Sequence, residues 1–482
     1  MRIEESWKHA SRRSFLECAA CAPAAAGLAL ATRSAEAKPK LDSPSYLFAA
    51  KETARWIQSA ERTTPHGTLW LPEPDHPEKA TTYFAVPTLY TGTSGIVLFF
   101  IELAKATGDD SYLEQARKGA DYILATWQDV QSFHGILQIK NSYLDFNHGL
   151  AGVAFALFQS SAAFHDQRYR DGALAITKLI VDSAEPIGAG VEWIGNPSPV
   201  VGDGSLALYL VWAARVFENQ SYLDLAARAG KRFIETAEAE PQGTLKWNAI
   251  KGLFGPGDAY NPNYEGGTAG PAFVLARLYR ETHDPQFRDA AAKGLRHLES
   301  IATVNGDSAL LFYRSDLKDI FYLGYCSGPV GTARGFFELY QLTKQHEYLD
   351  WTERLARGIT ESGIPENLTP GLWNVVCQCC GNAGIIDFFA GLWSATHKPE
   401  YLAFAKRVAD VTISRASNLD GKGYRWYQAW TRVKPWEVTA ETGYFIGGSG
   451  VGSALLHLHT AEQKQYAPIL FPDSPFVPSS KA

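Results

Sequence analysis

Cysteine is scarce in this chain, six in 482 residues, which is far too sparse for a small disulfide-stapled scaffold. Basic charge is not in excess either. With 45 Lys and Arg against 51 Asp and Glu, the formal net charge is −6. Without a basic stripe, nucleic acid and anionic membrane are excluded as main partners, and a small or peptidic ligand is expected. The apolar stretch from Ala19 to Ala31 is too short and too rich in alanine for a membrane span. What is present is an ordinary globular balance, 46% hydrophobic and 20% charged residues, able to bury a large core, with disorder expected only at the two ends.

The first residues read as a targeting segment rather than as part of a fold. Ser11-Arg12-Arg13-Ser14-Phe15-Leu16 precedes the alanine-rich run, and Ala35-Glu36-Ala37 supplies a small-x-small cleavage pattern. This predicts a twin-arginine signal peptide over residues 1–37, cut after about Ala37, and a mature domain over 38–482. The expected partner during export is the twin-arginine translocase, with a periplasmic or secreted destination and no stable membrane anchor after cleavage.

A chain of this length would ordinarily split into two domains, but an internal repeat accounts for it. Seven times a glycine-containing loop runs directly into an apolar stretch of helical period. The closing glycines are Gly95, Gly152, Gly204, Gly270, Gly331, Gly384 and Gly450, at spacings of 57, 52, 66, 61, 53 and 66 residues. Between the loops lies a second kind of helix, amphipathic and opened by Ser111-Tyr112-Leu113, Ser221-Tyr222-Leu223, Glu347-Tyr348-Leu349 or Glu400-Tyr401-Leu402. The runs after the glycines are apolar on most sides and fit buried inner helices, while the others fit an outer layer with one wet face. With a first outer helix near Tyr46 to Ala60, the expectation is an all-α fold, an α/α toroid of seven inner and seven outer helices. An open solenoid is the alternative. The glycines are read as architectural, giving positive φ or close backbone approach, and the loops would all open at one mouth.

With the signal removed, every remaining cysteine falls in two loops. Gly324-Tyr325-Cys326-Ser327-Gly328 and Cys377-Gln378-Cys379-Cys380-Gly381 align in register, so Cys326 and Cys379 both stand two residues before the first glycine, and Cys380 one before it. Three thiols from adjacent helix starts match an open zinc site with one exchangeable position. A closed zinc site that adds Cys377 and a Cys326–Cys379 disulfide are the competing arrangements.

These motifs resemble the LanC (lanthionine synthetase C) family, from about Tyr46 to His459. Tyr325-Cys326-Ser327-Gly328 is similar to that family's Trp-Cys-Tyr-Gly motif, and Cys379-Cys380-Gly381 to its Cys-His-Gly motif with Cys in place of His. The resemblance implies one zinc ion per chain on Cys326, Cys379 and Cys380. It implies addition of a thiol to a dehydroamino acid, giving a thioether, with a peptide or a small thiol as substrate. In Tyr143-Leu144-Asp145-Phe146-Asn147-His148-Gly149, Asp145 stands where the family carries an aspartate, and His148 shares its loop. The two are the expected proton-transfer residues. The family's Ala-His-Gly motif is absent from the third and fourth loops, and Ser327 replaces a tyrosine.

Other mouth residues, Asp203, Glu265, Tyr325 and Glu441, are expected to meet substrate. The connections Glu240 to Asn263 and Arg415 to Pro435 are expected to fold over the mouth. Those carboxylates, with Trp426, Tyr427, Trp430 and Trp436, also suit an exported toroidal glycoside hydrolase or lyase. A third possibility is a zinc protein that binds without turnover.

Overall fold

In the computed structural model, inner and outer helices end and begin differently, and that difference builds the architecture. The structure describes residues 45–77, 87–132, 139–251, 257 and 259–476; the signal segment lies outside the described residues. Among the described residues there are fourteen α-helices. The outer set is α1 (Tyr46–Ser59), α3 (Asp110–Thr126), α5 (Gln167–Asp182), α7 (Gln220–Glu235), α9 (Pro285–Ile301), α11 (His346–Thr360) and α13 (Pro399–Ser414). The inner set is α2 (Thr93–Thr107), α4 (Leu150–Phe164), α6 (Asp203–Val216), α8 (Ala269–Thr282), α10 (Pro329–Thr343), α12 (Asn382–Thr396) and α14 (Gly448–Glu462). The first outer helix therefore falls where the sequence places it.

Most inner helices pass to their outer partners through a left-handed residue and a capping side chain, as at His165-Asp166 and His283-Asp284. Asp166 and Asp284 each accept a backbone N–H of the first turn, which satisfies an otherwise orphaned donor. Most returns from outer to inner carry a short antiparallel hairpin: β1–β2 (Glu61–Thr64, Gly67–Trp70), β3–β4 (Glu185–Ile187, Gly190–Glu192), β5–β6 (Glu238–Ala239, Leu245–Lys246), β7–β8 (Thr303–Asn305, Ser308–Leu310) and β9–β10 (Gln428–Ala429, Val438–Thr439).

The ring closes. α2 packs on α4, α6 on α8, α8 on α10, α10 on α12 and α12 on α14, and α14 then packs on both α2 and α1. The open solenoid is thereby replaced by a toroid. Buried apolar side chains form one continuous core through both layers, with Phe99, Phe155, Phe273 and Phe389 of the inner helices fully enclosed.

The loop glycines serve close approach, not positive φ. Gly328, for example, caps α10 with an extended backbone, φ −145°. At Gly331 an added Cβ would lie 2.0 Å from the carbonyl oxygen of Tyr325 six residues earlier, and at Gly450 1.8 Å from that of Tyr444. Only glycine lets each loop fold back over its own helix start.

A belt of hydrogen bonds joins the seven loops at the mouth. It runs through the residues two before each first glycine: Tyr90, Asn147, Val200, Glu265, Cys326, Cys379 and Phe445. Backbone N–H groups donate from Tyr90 to Asn147 (2.9 Å), Phe445 to Tyr90 (3.1 Å), Cys379 to Phe445 (3.0 Å), Cys326 to Cys379 (3.3 Å) and Glu265 to Cys326 (2.8 Å). Side chains complete the two remaining steps, Asn147 Nδ2 to the Val200 carbonyl (2.9 Å) and Ser198 Oγ to the Glu265 carbonyl (2.7 Å).

The C-terminal residues depart from the expected disorder. Residues 463–476 enter the axial hole, where Phe471 packs on Phe146, Phe155, Tyr444 and Phe445, and Phe476 on Phe337 and Phe388. No helix among the described residues is long and apolar enough to cross a membrane.

Candidate metal centre and its surroundings

The belt fixes the backbones of Cys326 and Cys379 on both sides, so their side chains leave adjacent helix starts toward one point. The Sγ atoms of Cys326 and Cys379 are 2.9 Å apart, those of Cys326 and Cys380 3.2 Å, and those of Cys379 and Cys380 3.6 Å. All are free thiols. Among the described residues they are the single group of three or more His, Cys, Asp or Glu side chains arranged to share an ion. Sulfurs about 2.3 Å from a tetrahedral zinc lie about 3.8 Å apart, so a small outward shift seats the ion.

The electrostatics also fit a divalent cation. Hydrogen bonds from Cys326 and Cys380 hold the Cys379 thiol well below its ordinary pKa, whereas its bond to Cys379 pushes Cys326 well above. Cys380 is raised as well, in spite of its bond to Cys326, by Cys379 and burial. Three thiolates this close repel one another unless a cation lies among them. Cys377 stands apart. Its sulfur accepts the Cys380 N–H at 3.5 Å, and burial pushes its thiol up to about 12.

Asp145 and His148 lie side by side. One carboxylate oxygen of the buried Asp145 accepts the His148 backbone N–H (2.6 Å), and the other lies 3.5 Å from His148 Nδ1. His148 is close enough for its charge to favour the Cys379 thiolate. Between them stands a residue the sequence reading did not single out. The Tyr90 ring stacks on His148 at 4.3 Å and on Phe445 at 5.4 Å, and its hydroxyl is near enough to Cys379 to favour that thiolate. Its signal was its register, two residues before Gly92, the place that carries Cys326 and Cys379 in their own loops.

Of the four residues expected to meet substrate, two face elsewhere. Asp203 is buried with its carboxylate taken by the N–H groups of Trp193 (3.0 Å), Ile194 (2.7 Å) and Gly195 (3.0 Å). Burial pushes it up to about 6 against those three bonds, and its place is that of a loop fastener. Tyr325 points down the axis, its hydroxyl donating to Asp473 Oδ2 at 2.8 Å. Glu265 and Glu441 remain at the mouth. Burial, and then the Cys379 charge, raise Glu265 to about 8. The wall beyond is aromatic, Tyr313 stacked on Tyr322 at 4.0 Å. The connection Arg415 to Pro435 does reach the mouth, where the Arg432 charge is felt at Tyr322. The connection Glu240 to Asn263 lies partly outside the described residues.

A closed helical toroid with three thiols converging at the mouth of its inner ring defines a class of protein. The family model for lanthionine synthetase C-like proteins matches residues 83–472, and the chain belongs to that family. Among solved structures, nisin cyclase is similar with a TM-score of 0.58 and 13% identity, covering 81% of this chain and 92% of that one. An inactive variant of an alpha-1,6-mannanase of Salegentibacter sp. HEL1_6, in complex with alpha-1,6-mannotetrose, has a TM-score of 0.46 and 12% identity, covering 87% and 99%. At 13% identity the likeness to nisin cyclase is one of fold. No curated protein matches the sequence.

Proposed function

We propose that this protein is a zinc-dependent enzyme that activates a thiol for Michael-type addition to a dehydroamino acid, forming a thioether. The observation that carries the reading is the convergence of Cys326, Cys379 and Cys380 within 3.6 Å of one another, the first two at belt-fixed positions. A bound zinc ion supplies a Lewis acid that keeps an incoming thiol ionised at neutral pH. The protein's own groups handle the protons. His148, whose backbone N–H is held by Asp145 with the other carboxylate oxygen 3.5 Å from Nδ1, accepts the thiol proton and returns it to the α-carbon after the sulfur has added to the β-carbon. The C–S bond forms as the C=C π bond breaks, and no other reactant is consumed. Tyr90 keeps the imidazole face and the Cys379 sulfur in fixed relation.

Substrates are a peptide or a small thiol. The twin-arginine pattern at Arg12-Arg13 supports an exported enzyme, which fractionation of an Arg12→Lys, Arg13→Lys variant tests: retention in the cytoplasm is expected. The reaction itself is tested by metal analysis of the purified protein and of Cys326→Ala and Cys379→Ala, followed by incubation with a dehydroalanine peptide and a thiol. About one zinc per chain, lost in both variants, and thioether formation above background are expected. A metal-free wild type sinks the reading, and zinc without thioether formation leaves a binding protein. The sugar-cleaving alternative retains Glu441 and the exposed Trp430 and Trp436 but gives the three thiols no task.

A further inference from the structure

Glu441 is unusual among the mouth residues. It is only 2% exposed, and both donors that reach it, Trp430 Nε1 and Thr439 Oγ1, go to the same oxygen, Oε1. Its Oε2 is buried and has no hydrogen-bond partner among the described residues. Segment 71–73 runs alongside, tied by Thr442, whose N–H and hydroxyl donate to the carbonyls of Pro72 and Leu71, each at 2.9 Å. That places Glu73 within electrostatic reach of Glu441, and the Oε2 of Glu73 is likewise buried and unpartnered. Burial, with the Glu73 charge, pushes Glu441 up to about 8. Two neighbouring carboxyl groups that each keep a buried, unpaired oxygen are costly unless a cation joins them.

The chemistry narrows the cation. A divalent metal seeks six or more oxygens, and among the described residues no group of three acidic side chains is assembled here. A guanidinium prefers both oxygens of one carboxylate, but Oε1 of Glu441 already has two donors. An ammonium group carries three donors on a compact charge, able to take one oxygen from each carboxylate. It also favours an aromatic face, and Trp430, 45% exposed, is fastened to Glu441 by its own N–H.

The place is joined to the thiols. Gln428, two residues before Trp430, accepts the N–H groups of Val376 (3.0 Å) and Cys377 (3.1 Å) through Oε1, and Glu441 stands four residues before Phe445, whose carbonyl accepts the Cys379 N–H at 3.0 Å. We propose that Glu73 and Glu441 form an ammonium subsite and that the substrates of this centre are aminothiols, thiols that carry a primary ammonium a short chain away. The aminothiol assignment rests on the reading of Cys326, Cys379 and Cys380 as a thiol-activating centre; the ammonium subsite does not.

The test is calorimetric titration of the zinc-loaded full chain with cysteamine and with 2-mercaptoethanol, and with their S-methylated counterparts, which cannot form a thiolate. Cysteamine should bind about ten-fold tighter than 2-mercaptoethanol, and the advantage should fall to about two-fold in Glu441→Gln and in Glu73→Gln. The second variant changes a side chain that makes no hydrogen bond to a described residue, so its fold is safe. Equal binding of the two thiols by the wild type overturns the proposal. So does a ten-fold preference that survives in both variants, since the ammonium would then be read elsewhere. If the S-methylated amine is preferred over its alcohol but free thiols gain nothing over S-methylated ones, the subsite stands and thiol activation falls.

Discussion

Tyr90 shows how one side chain can serve both halves of the centre. Its ring lies against His148, and its hydroxyl is near enough to Cys379 to favour the thiolate, so it orders the proton acceptor and stabilises the first thiolate. A hydroxyl that donates to the ionised sulfur contributes about 1.5–3 kcal/mol, about one to two pH units of thiol acidity. In metal-free protein, Tyr90→Phe should therefore move the midpoint of Cys379 alkylation by iodoacetamide upward by about one to two pH units, with helical content unchanged. An unmoved midpoint would show that the hydroxyl does not stabilise that sulfur. The three converging cysteines were legible in the sequence because register alone aligns them, whereas Tyr90 was not, because an aromatic beside an apolar helix start reads as core. Asp203 was misplaced for a related reason. A carboxylate at a helix start looks like a mouth residue until the three N–H groups that enclose it are seen.

At the scale of the element, the glycine loops separate two uses of one residue. Gly331 has no room for a Cβ, which would meet backbone oxygen at 2.0 Å and the Tyr264 Cβ at 2.5 Å. Gly108 has a left-handed φ of 67° and nothing within 4 Å, and His165, His283, Lys344 and His397 hold the same conformation in other repeats. Gly331→Ala is thus expected to cost about 3 kcal/mol or more in denaturant unfolding, Gly108→Ala only about 1 kcal/mol. Because Gly331 sits above the Tyr325 carbonyl, next to Cys326, its variant should also bind zinc more weakly in a chelator competition, and the Gly108 variant should not. Comparable losses for the two would contradict the close-approach account. Both helix layers and their order could be read from periodicity, since the inner runs are apolar all round and the outer ones on one face. The belt could not, because it is made by backbone groups and by Asn147 and Ser198, which carry no pattern of their own.

At the scale of the molecule, the ring needs something in its axis, and the chain supplies its own C-terminal segment. This was illegible in the sequence, as residues 463–476 repeat nothing and come after the last glycine loop. Polar groups hold the segment in place. Arg334 pairs with Asp473 at 2.9 Å, and the Ile469 N–H donates to Glu102 at 2.6 Å. Glu102 is itself bonded to His457 Nε2 (2.9 Å), while His457 Nδ1 meets Asp387 (2.8 Å). Burial opposes a charge on His457, yet Glu102 and Asp387 outweigh it and raise the imidazole well above its ordinary pKa, with Tyr444 and Tyr466 close by. A folded-state value above the unfolded one means that the stabilisation is complete below the ordinary imidazole range, about pH 6.5, and is lost as pH rises through the elevated value. His457→Gln removes the cation between the buried Glu102 and the half-buried Asp387 and should cost about 3–5 kcal/mol near pH 6. The deficit should shrink toward alkaline pH, where the wild-type imidazole has given up its proton as well. Urea unfolding of both proteins from pH 6 to pH 10 checks this. A deficit that stays constant across that range would mean that packing, rather than the imidazolium, keeps the segment in the ring.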